Sequence, residues 1–299
     1  MQISATASAA ALVDQIGAQE TTIISLEGQL GAGQAITRPS DNPAGTVAAL
    51  ALQSQISQAG SWSSNLTTAS SWLGMANQTA TSVVEGLQAA RTLMLQAMNQ
   101  GTQSSDTYQA LSQQLSAIRS DLLGAANTTF GGRPIFAGTS AGSTAYDSAG
   151  NYQGAGLPPS VVVGPGPGVG QTVDLSVTGP EMFGSGTSSA FSVLAKAASD
   201  LTVSGGPSSA TLHADMAAID ASLQQAVGAA ATLGNLSTQA SSRATELSDQ
   251  TTELRSKLSS LLSVNIPQVT TQLNSDLATY QAALWAASKA IPPSLVEYL

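Results

Sequence analysis

A seven-residue repeat of apolar side chains is the feature that most constrains the fold of this chain. The repeat runs without a break from Leu52 to Met94, and a companion seam three residues further on runs from Gln55 to Ala97. Two such seams are typical of a coiled-coil helix. The sequence therefore predicts one helix from near Pro43 to near Gln100, roughly 85 Å long at about 1.5 Å per residue. A rod of this kind is more typical of an assembly than of a catalyst.

The same heptad spacing returns near the other end of the chain, from Leu233 to Leu261. We expect this second helical region to lie beside the first, because the segment between them must leave and re-enter the rod at one place. The side chains that the spacing predicts to form the core of the rod are Leu52, Trp62, Leu66, Leu73, Leu87, Met94, Leu247 and Leu254.

The middle of the chain, residues 131–189, has a different character. It is rich in glycine and proline, and Val173, Leu175 and Val177 alternate with polar residues at the period of a β-strand. Residues 146–152 have the pattern of a hairpin with a turn of glycine and asparagine. We therefore predict a small β-rich domain inserted into a mainly α-helical fold, whose antiparallel coiled-coil-like rod is built from both ends of the chain.

The boundaries of these regions follow from the breaks in the heptads. Asn42 or Asp41 is the predicted N-cap of the long helix, with Pro43 at its first position, where a missing N–H costs nothing. The predicted order is a terminal amphipathic helix and linker at 1–38, the rod at 39–130, the β-rich insert at 131–189, the rod again at 190–263, and a second terminal helix at 264–299.

The two terminal helices carry apolar stripes with no obvious place in the rod. A lone helix of about 30 residues is marginal in water unless it packs against something. We therefore expect these helices to pair with each other or with further copies of the chain, which would give a ring or a tube. The predicted assembly residues are Ile16, Ile23, Leu30, Leu273, Leu277, Tyr280, Leu284, Trp285, Ile291, Leu295, Tyr298 and Leu299.

Composition excludes several classes of partner. The net charge is -9, and only nine residues are Lys or Arg, so there is no basic footprint for nucleic acid or for an anionic membrane surface. The absence of cysteine excludes disulfides and thiolate metal sites. No apolar run is long enough to span a membrane, and no basic residue precedes Arg38, so we expect no Sec-type signal peptide.

The sequence offers no catalytic constellation. His213 is the only histidine, and the residues around it have a helical pattern without a nucleophile motif. The glycine-rich run at 164–170 contains two prolines, which remove N–H donors that a phosphate-binding loop needs. The acidic residues lack the spacing of a metal site. We predict no enzymatic activity, no cofactor and no metal.

Several segments resemble the bacterial flagellin family, and within it the members that join the hook to the filament. The resemblance covers the chain from end to end. It is carried by RPSDNPAG at 38–45, ANTTFGGRPIFAGTS at 126–140, VTGPEMFG at 177–184 and the ending PPSLVEYL at 292–299. Within the second of these segments, GRPIFAGT at 132–139 resembles the exit from the helical rod into the variable domain, and 177–184 resembles the return.

The resemblance implies a structural subunit that acts outside the cell, in the flagellum, after type III export without a cleaved signal peptide. It implies contacts with other copies in a ring, with an adjacent hook-associated protein on one side and with flagellin on the other. An export chaperone is a further implied partner. The family also implies that the terminal helices form the innermost layer of the tube, with the insert facing outward.

Two other functions stay open at this point. A minor flagellin within the filament would share the helical pattern, and a cytoplasmic coiled-coil scaffold would explain the heptads but not the insert. The polar seam residues Gln55 and Arg91 also have two interpretations. They fix the register of the rod, or they lie at the edge of the apolar stripe.

The terminal segments give the first prediction. If they order fully only on assembly, backbone amides of residues 1–33 and 266–299 exchange quickly in the free protein, because a terminal helix without a complete core opens readily. Hydrogen exchange followed by mass spectrometry measures this directly. Strong protection of both segments in the monomer would show that their order does not depend on assembly.

Overall fold

The structure is a computed structural model that describes residues 2–99, 104–166 and 170–290. Its compact parts form two units, one made of residues 1–58 and 250–299 and the other of residues 59–249. The elements in chain order are α1 Gln2–Ala32, α2 Pro43–Asn99, α3 Ser105–Ala126, β1 Thr129–Phe130, β2 Arg133–Pro134, β3 Ser160–Gly164, β4 Gln171–Asp174, α4 Gly179–Phe183, a short 3-10 turn Gly186–Ser188, α5 Ala190–Leu201, α6 Ser209–Leu262 and α7 Ile266–Ala290.

In the first unit, α1 and α7 pack against each other. The chain leaving α1 meets the chain entering α7, because the backbone N–H of Ala35 donates to the carbonyl of Leu262 at 2.7 Å. Gln34 and Ser263 form an antiparallel bridge at the same place. Since the end of α1 lies beside the start of α7, the two helices run antiparallel.

The link from α1 to α2 is held by its own side chains. The Asn42 side-chain oxygen accepts the backbone N–H of Gly45 at 2.8 Å, so Asn42 is the N-cap and Pro43 is the first helical residue, as the sequence predicts. The Asp41 carboxylate accepts from the Thr37 hydroxyl and from the Arg38 N–H. These bonds, led by that from Thr37, lower the pKa of Asp41. Ionised Asp41 therefore stabilises the link at pH values above the ordinary pKa of aspartate. This stabilisation is lost as the pH falls through the lowered pKa of Asp41.

The second unit is built on the heptad seams of α2. Every apolar residue of both seams from Leu66 to Ala97 is at most 1% exposed. The partner of α2 is α6, which runs antiparallel to it. Asn77 reaches the carbonyl of Leu233, and 14 residues further along α2 Arg91 pairs with Asp220, which lies 13 residues earlier in α6.

Helices α3 and α5 complete the helical part of this unit. The helix α3 folds back on α2, where Gly86 leaves room for Leu122. The backbone of α5 is fixed to α3 by two side chains, because the Ser112 hydroxyl donates to the Ala198 carbonyl at 2.6 Å and Arg119 Nε donates to the Phe191 carbonyl at 3.1 Å. The fold class is thus mainly α-helical, as predicted, with a small β portion.

The segment 131–189 contains two separate two-stranded antiparallel sheets, β1 with β2 and β3 with β4. The sequence pattern does not predict the first of these, which turns through Gly131 and Gly132, nor the short helix α4. The predicted hairpin at 146–152 is present as a single antiparallel bridge between its two tyrosines. Val163 and Val173 belong to the same buried cluster as the heptad residues of α2, so this segment shares the core of the second unit.

The exit and return segments of the insert meet at Phe136. The Phe136 carbonyl accepts both the Gly179 N–H at 2.9 Å and the Tyr152 hydroxyl at 3.1 Å. Its ring packs edge-on against Phe183 with centroids 5.4 Å apart. Tyr146 lies at the centre, within 5.5 Å of three other rings. Burial raises the pKa of Tyr146. We call this set of residues, completed by Phe191, the aromatic cluster.

Asn127 joins the end of α3 to the aromatic cluster. Its side-chain oxygen accepts the backbone N–H groups of Ala145 and Tyr146, and its amide donates to the Tyr146 carbonyl at 3.0 Å. One side chain therefore satisfies three backbone groups of a loop that has no sheet to pair with. The helical rod and the insert are connected by hydrogen bonds as well as by packing.

The close approach at Gly179 gives a stability prediction. A Cβ atom there would lie 2.6 Å from a ring carbon of Tyr152 and 2.7 Å from the Tyr146 hydroxyl. We expect Gly179→Ala to lower the free energy of unfolding by about 1–3 kcal/mol, because the rings must move apart. The matched control is Gly74→Ala in α2, where a Cβ meets nothing within 4 Å. That change should raise stability by about 0.5–1 kcal/mol. Urea unfolding of both variants provides the comparison, and equal effects would contradict it.

Candidate assembly surface

The facing stripes of α1 and α7 follow a heptad pattern on each helix. The less exposed positions of α1 are Leu12, Ile16, Gln19, Ile23, Ser25, Leu26, Gln29 and Leu30, and those of α7 are Val269, Leu273, Asp276, Leu277, Tyr280, Ala283 and Ala287. Of these side chains, only Ile23 is buried, at 7% exposed. Two helices alone cannot enclose a seam, so the rest of the stripe remains half-buried.

Both stripes contain a polar residue at a seam position. In α1 the side-chain oxygen of Gln19 is buried and accepts no hydrogen bond. In α7 Asp276 accepts a hydrogen bond from Gln272 of its own helix at 3.0 Å. A buried amide oxygen without a donor costs free energy that further packing partners could recover. The seam between α1 and α7 therefore has incomplete hydrogen bonding as well as incomplete burial.

A second set of apolar side chains in the first unit is exposed to solvent. The large hydrophobic residues that are at least 36% exposed number seven in the first unit and four in the larger second unit, among the side chains that the structure describes. We call the seven the outer apolar set. Its members are Val13, Ile24, Val47, Leu50, Ile266, Leu284 and Trp285.

Helical geometry places members of the outer apolar set on common faces. Val13 and Ile24 are 11 residues apart in α1, and Ile266 and Leu284 are 18 apart in α7, so each pair lies on one side of its helix. Trp285, at 70% exposed, is next to Leu284. A large tryptophan surface left in water is typical of a residue that contacts a partner.

The charges of this unit are unevenly distributed. Helix α1 carries Asp14, Glu20 and Glu27 and no basic residue. In α7, Lys289 lies over the Trp285 ring with its ammonium nitrogen 6.0 Å from the ring centroid. An ammonium at that distance is weakly attracted to the aromatic face. The pair of helices therefore carries three acidic groups on α1, and one acidic group, Asp276, and one cation, Lys289, on α7.

The structure divides the predicted assembly residues into two groups. Ile16, Leu30, Leu273, Leu277 and Tyr280 are half-buried and Ile23 is buried, all on the facing stripes, whereas Leu284 and Trp285 are exposed. Ile291, Leu295, Tyr298 and Leu299 lie outside the described residues. Sequence reasoning missed four members of the outer apolar set, Val13, Ile24, Val47 and Leu50, whereas Ile266 has the heptad spacing of Leu273 and Tyr280. The signal that could have found them is an apolar side chain placed off the heptad stripe.

The predicted rod-core residues are also distributed unevenly. Leu66, Leu73, Leu87 and Met94 are at most 1% exposed, and Leu247 and Leu254 are at 6% and 8%. Trp62 is half-buried against the core cluster, and Leu52 is half-buried in the first unit. Gln55 is exposed, and the Arg91 side chain is 43% exposed in its ion pair with Asp220, so both lie at the edge of the stripe.

The other features considered as candidate sites are the single histidine, clusters of metal-binding side chains, surface grooves and membrane-spanning helices. His213 is exposed, and its ring lies 2.7 Å from the Ser209 carbonyl one turn earlier in α6. Within the described ranges there is no cluster of three or more metal-binding side chains. An open apolar groove of about 570 Å³ lies between α2 and α3, with Leu93 and Ile118 in its lining. No helix in the described parts of the chain is both long enough and apolar enough to cross a membrane.

Comparison with known proteins gives a family match to the first half of the chain. Residues 3–141 match the bacterial flagellin N-terminal helical region. A curated relative is flagellar hook-associated protein 3 of Salmonella typhimurium, 30% identical over 164 residues, which are 54% of this chain and 50% of the relative. The matched region thus spans about half the length of that protein. The family match includes the motifs at 38–45 and 126–140, and those at 177–184 and 292–299 lie beyond it.

Solved structures share the fold. FlgL of Bacillus cereus superposes with a TM-score of 0.58 at 19% identity, covering 70% of this chain and 99% of that one. Flagellar hook-associated protein-3 of Legionella pneumophila gives a TM-score of 0.60 at 14% identity, covering 70% of this chain and 98% of that one. At these identities the likeness establishes the fold: helical segments from both ends of the chain with a small insert between them.

Two adjacent isoleucines in α1 face different surroundings: one packs within the unit, and the other is exposed and available to a partner. Ile23 is 7% exposed and Ile24 is 52% exposed. We expect Ile23→Ala to destabilise the α1–α7 pair by roughly 2–4 kcal/mol, because it removes the best-buried side chain of the seam. Ile24→Ala should change stability by less than about 0.5 kcal/mol. Thermal unfolding of the free protein followed by circular dichroism measures both effects, and an equal loss of stability in the two variants would contradict the assignment of faces.

Proposed function

We propose that this chain is a member of the flagellin family and a structural component of the bacterial flagellum, where it joins the hook to the filament. The observation that carries the proposal is the half-buried seam between α1 and α7, flanked by the outer apolar set. The identity to a hook-associated protein supports the position at the junction. The proposed activity is mechanical, and no side chain is assigned a catalytic role.

In this proposal the first unit is the part that assembles. Copies of the chain place α1 and α7 side by side, so that the half-buried stripe becomes enclosed and the outer apolar set contacts neighbouring helices. Burial of apolar area contributes about 25 cal/mol per Å², so several such side chains per subunit supply a substantial driving force. Repeating one heterologous contact around an axis gives a ring.

The proposed partners differ at the two faces of that ring. One face contacts an adjacent hook-associated protein, and the other contacts flagellin. The chain is proposed to reach this place outside the cell through the flagellar type III export apparatus, escorted by an export chaperone. A chaperone would cover apolar surface that is otherwise exposed in the cytoplasm.

A minor flagellin of the filament is the second candidate. The family match to the flagellin N-terminal region favours it, because that region is matched over residues 3–141. The segments that meet in the aromatic cluster, 132–139 and 177–184, are those that resemble the junction members instead. The two candidates differ in one property: a minor flagellin is dispensable for attaching the filament, and a junction protein is not.

Deletion of the gene distinguishes the two candidates. We expect cells without it to carry bare hooks in electron micrographs and to release flagellin monomers into the medium, because the first filament subunit has nothing to bind. A blot of the culture medium measures the released flagellin. Normal filaments on the deletion strain would contradict the junction role and favour the minor flagellin.

Complementation with a single variant tests the assembly surface. We expect Trp285→Ser to leave the melting temperature of the purified protein unchanged, because the side chain is 70% exposed, yet to restore fewer than about a tenth of the filaments. The matched control is Val203→Ser, an exposed apolar residue of the second unit, at 52%. Full restoration of filaments by Trp285→Ser would show that this residue is outside the interface.

A further inference from the structure

The helix α5 is a separate segment of the second unit with glycines on both sides. Gly184 and Gly186 precede it and Gly205 and Gly206 follow it, all with positive φ. Seven of its 12 residues are buried, and its backbone is fixed to α3 through Ala198 and Phe191. Links with this geometry let a helix take one defined orientation without continuing its neighbours.

The ion pair between α5 and α6 is centred on one lysine. Lys196 Nζ lies 2.7 Å from Asp215 Oδ1 of α6 and 2.5 Å from Asp200 Oδ2 of its own helix. The Lys196 side chain is 62% exposed, whereas that of Asp215 is 3% exposed. The second carboxylate oxygen of Asp215 is buried and has no hydrogen-bond partner among the residues that the structure describes. We call Lys196, Asp200 and Asp215 the α5 clasp.

A buried carboxylate is stable as an anion only when its oxygens are satisfied. In the α5 clasp, Oδ1 of Asp215 accepts a hydrogen bond from Lys196, and Oδ2 of Asp215 accepts none from the described residues. Burial raises the pKa of Asp215, and the bond from Lys196 opposes that rise. The hydrogen bonds to Asp200 and Asp215 raise the pKa of Lys196, so the lysine stays charged throughout the range in which Asp215 titrates.

The other charged groups near this part of the molecule are engaged elsewhere, among the residues that the structure describes. On α3 Arg119 donates to the carbonyls of Phe191 and Ala149, on α2 Arg91 pairs with Asp220, and on α6 the exposed His213 contacts Ser209. The charge of Asp215 is therefore balanced by Lys196 alone, with Asp200 competing for the same ammonium group.

We propose that the α5 clasp makes the attachment of α5 to α6 depend on pH, with Asp215 as the titrating group and Lys196 as the residue that holds it when ionised. Because the carboxyl binds a proton more readily in the closed state than in the opened state, attachment tightens as the pH falls through the raised pKa and loosens as the pH rises through it. The α5 clasp thus controls local opening of α5, which follows the insert in the chain. This proposal does not depend on the proposed junction role.

Hydrogen exchange of the α5 amides, corrected for intrinsic rates and measured from neutral pH down to the ordinary pKa of aspartate, about 3.9, tests this on the full chain. In the wild type we expect protection to rise toward the acidic end of this range. In Asp215→Asn that rise disappears, because the amide has no charge to bury. In Lys196→Met protection falls on the order of tenfold or more at neutral pH and recovers toward the acidic end, as Asp215 binds a proton.

The control variant is Lys257→Met, which removes an exposed i,i+4 pair with Glu253 in the first unit. It should leave α5 exchange unchanged at both pH values. The proposal is overturned if Asp215→Asn keeps the pH dependence of the wild type, or if Lys196→Met loses the same protection at both pH values. Should Lys196→Met fail to fold, the comparison of Asp215→Asn with the wild type decides alone.

Discussion

The burial of small and medium apolar side chains along α2 is the interaction on which the second unit depends. Its two seams contain five alanines among the residues that are at most 1% exposed between Leu66 and Ala97. Small seam residues let α6 and α3 approach closely, and the insert then closes over the ends of these helices through the aromatic cluster. The hydrogen bonds of Asn127 and Arg119 join loop backbone to helices that are already in place.

The first unit has heptad stripes of the same kind, but fewer helices pack against them. Its stripes on α1 and α7 are as regular as those of α2, yet most of their side chains remain half-buried because the described residues place only two helices at this seam. An apolar stripe without enough neighbours is a source of binding free energy rather than of internal stability. This difference between complete and incomplete seams gives the proposed assembly its physical basis.

Much of the fold could be predicted from the sequence, since heptads, an Asn–Pro start and glycine breaks are local signals. Pro43 begins α2 and its seams are buried from Leu66 to Ala97, as predicted, although Leu52 and Trp62 are only half-buried. The roles of Asn127 and Phe136 could not be predicted, because their partners Tyr146 and Gly179 are far away in the chain. The β1–β2 turn and α4 were missed although Gly131-Gly132 and the pair Thr178 and Glu181 are local signals. Some members of the outer apolar set were missed because a search for stripes selects the facing side of a helix and ignores Ile24 on the other.

The absence of cysteine from the sequence offers the most direct test of the incomplete seam. A single cysteine at position 24 becomes the only thiol, and its rate of maleimide labelling can be compared between the free protein and isolated flagella. A cysteine replacing Leu157, 78% exposed in the insert, is the reference. We expect Ile24→Cys to react quickly when free and at least about tenfold more slowly when assembled, with Leu157→Cys unchanged. Equal labelling of Ile24→Cys in both states would contradict burial of this face on assembly.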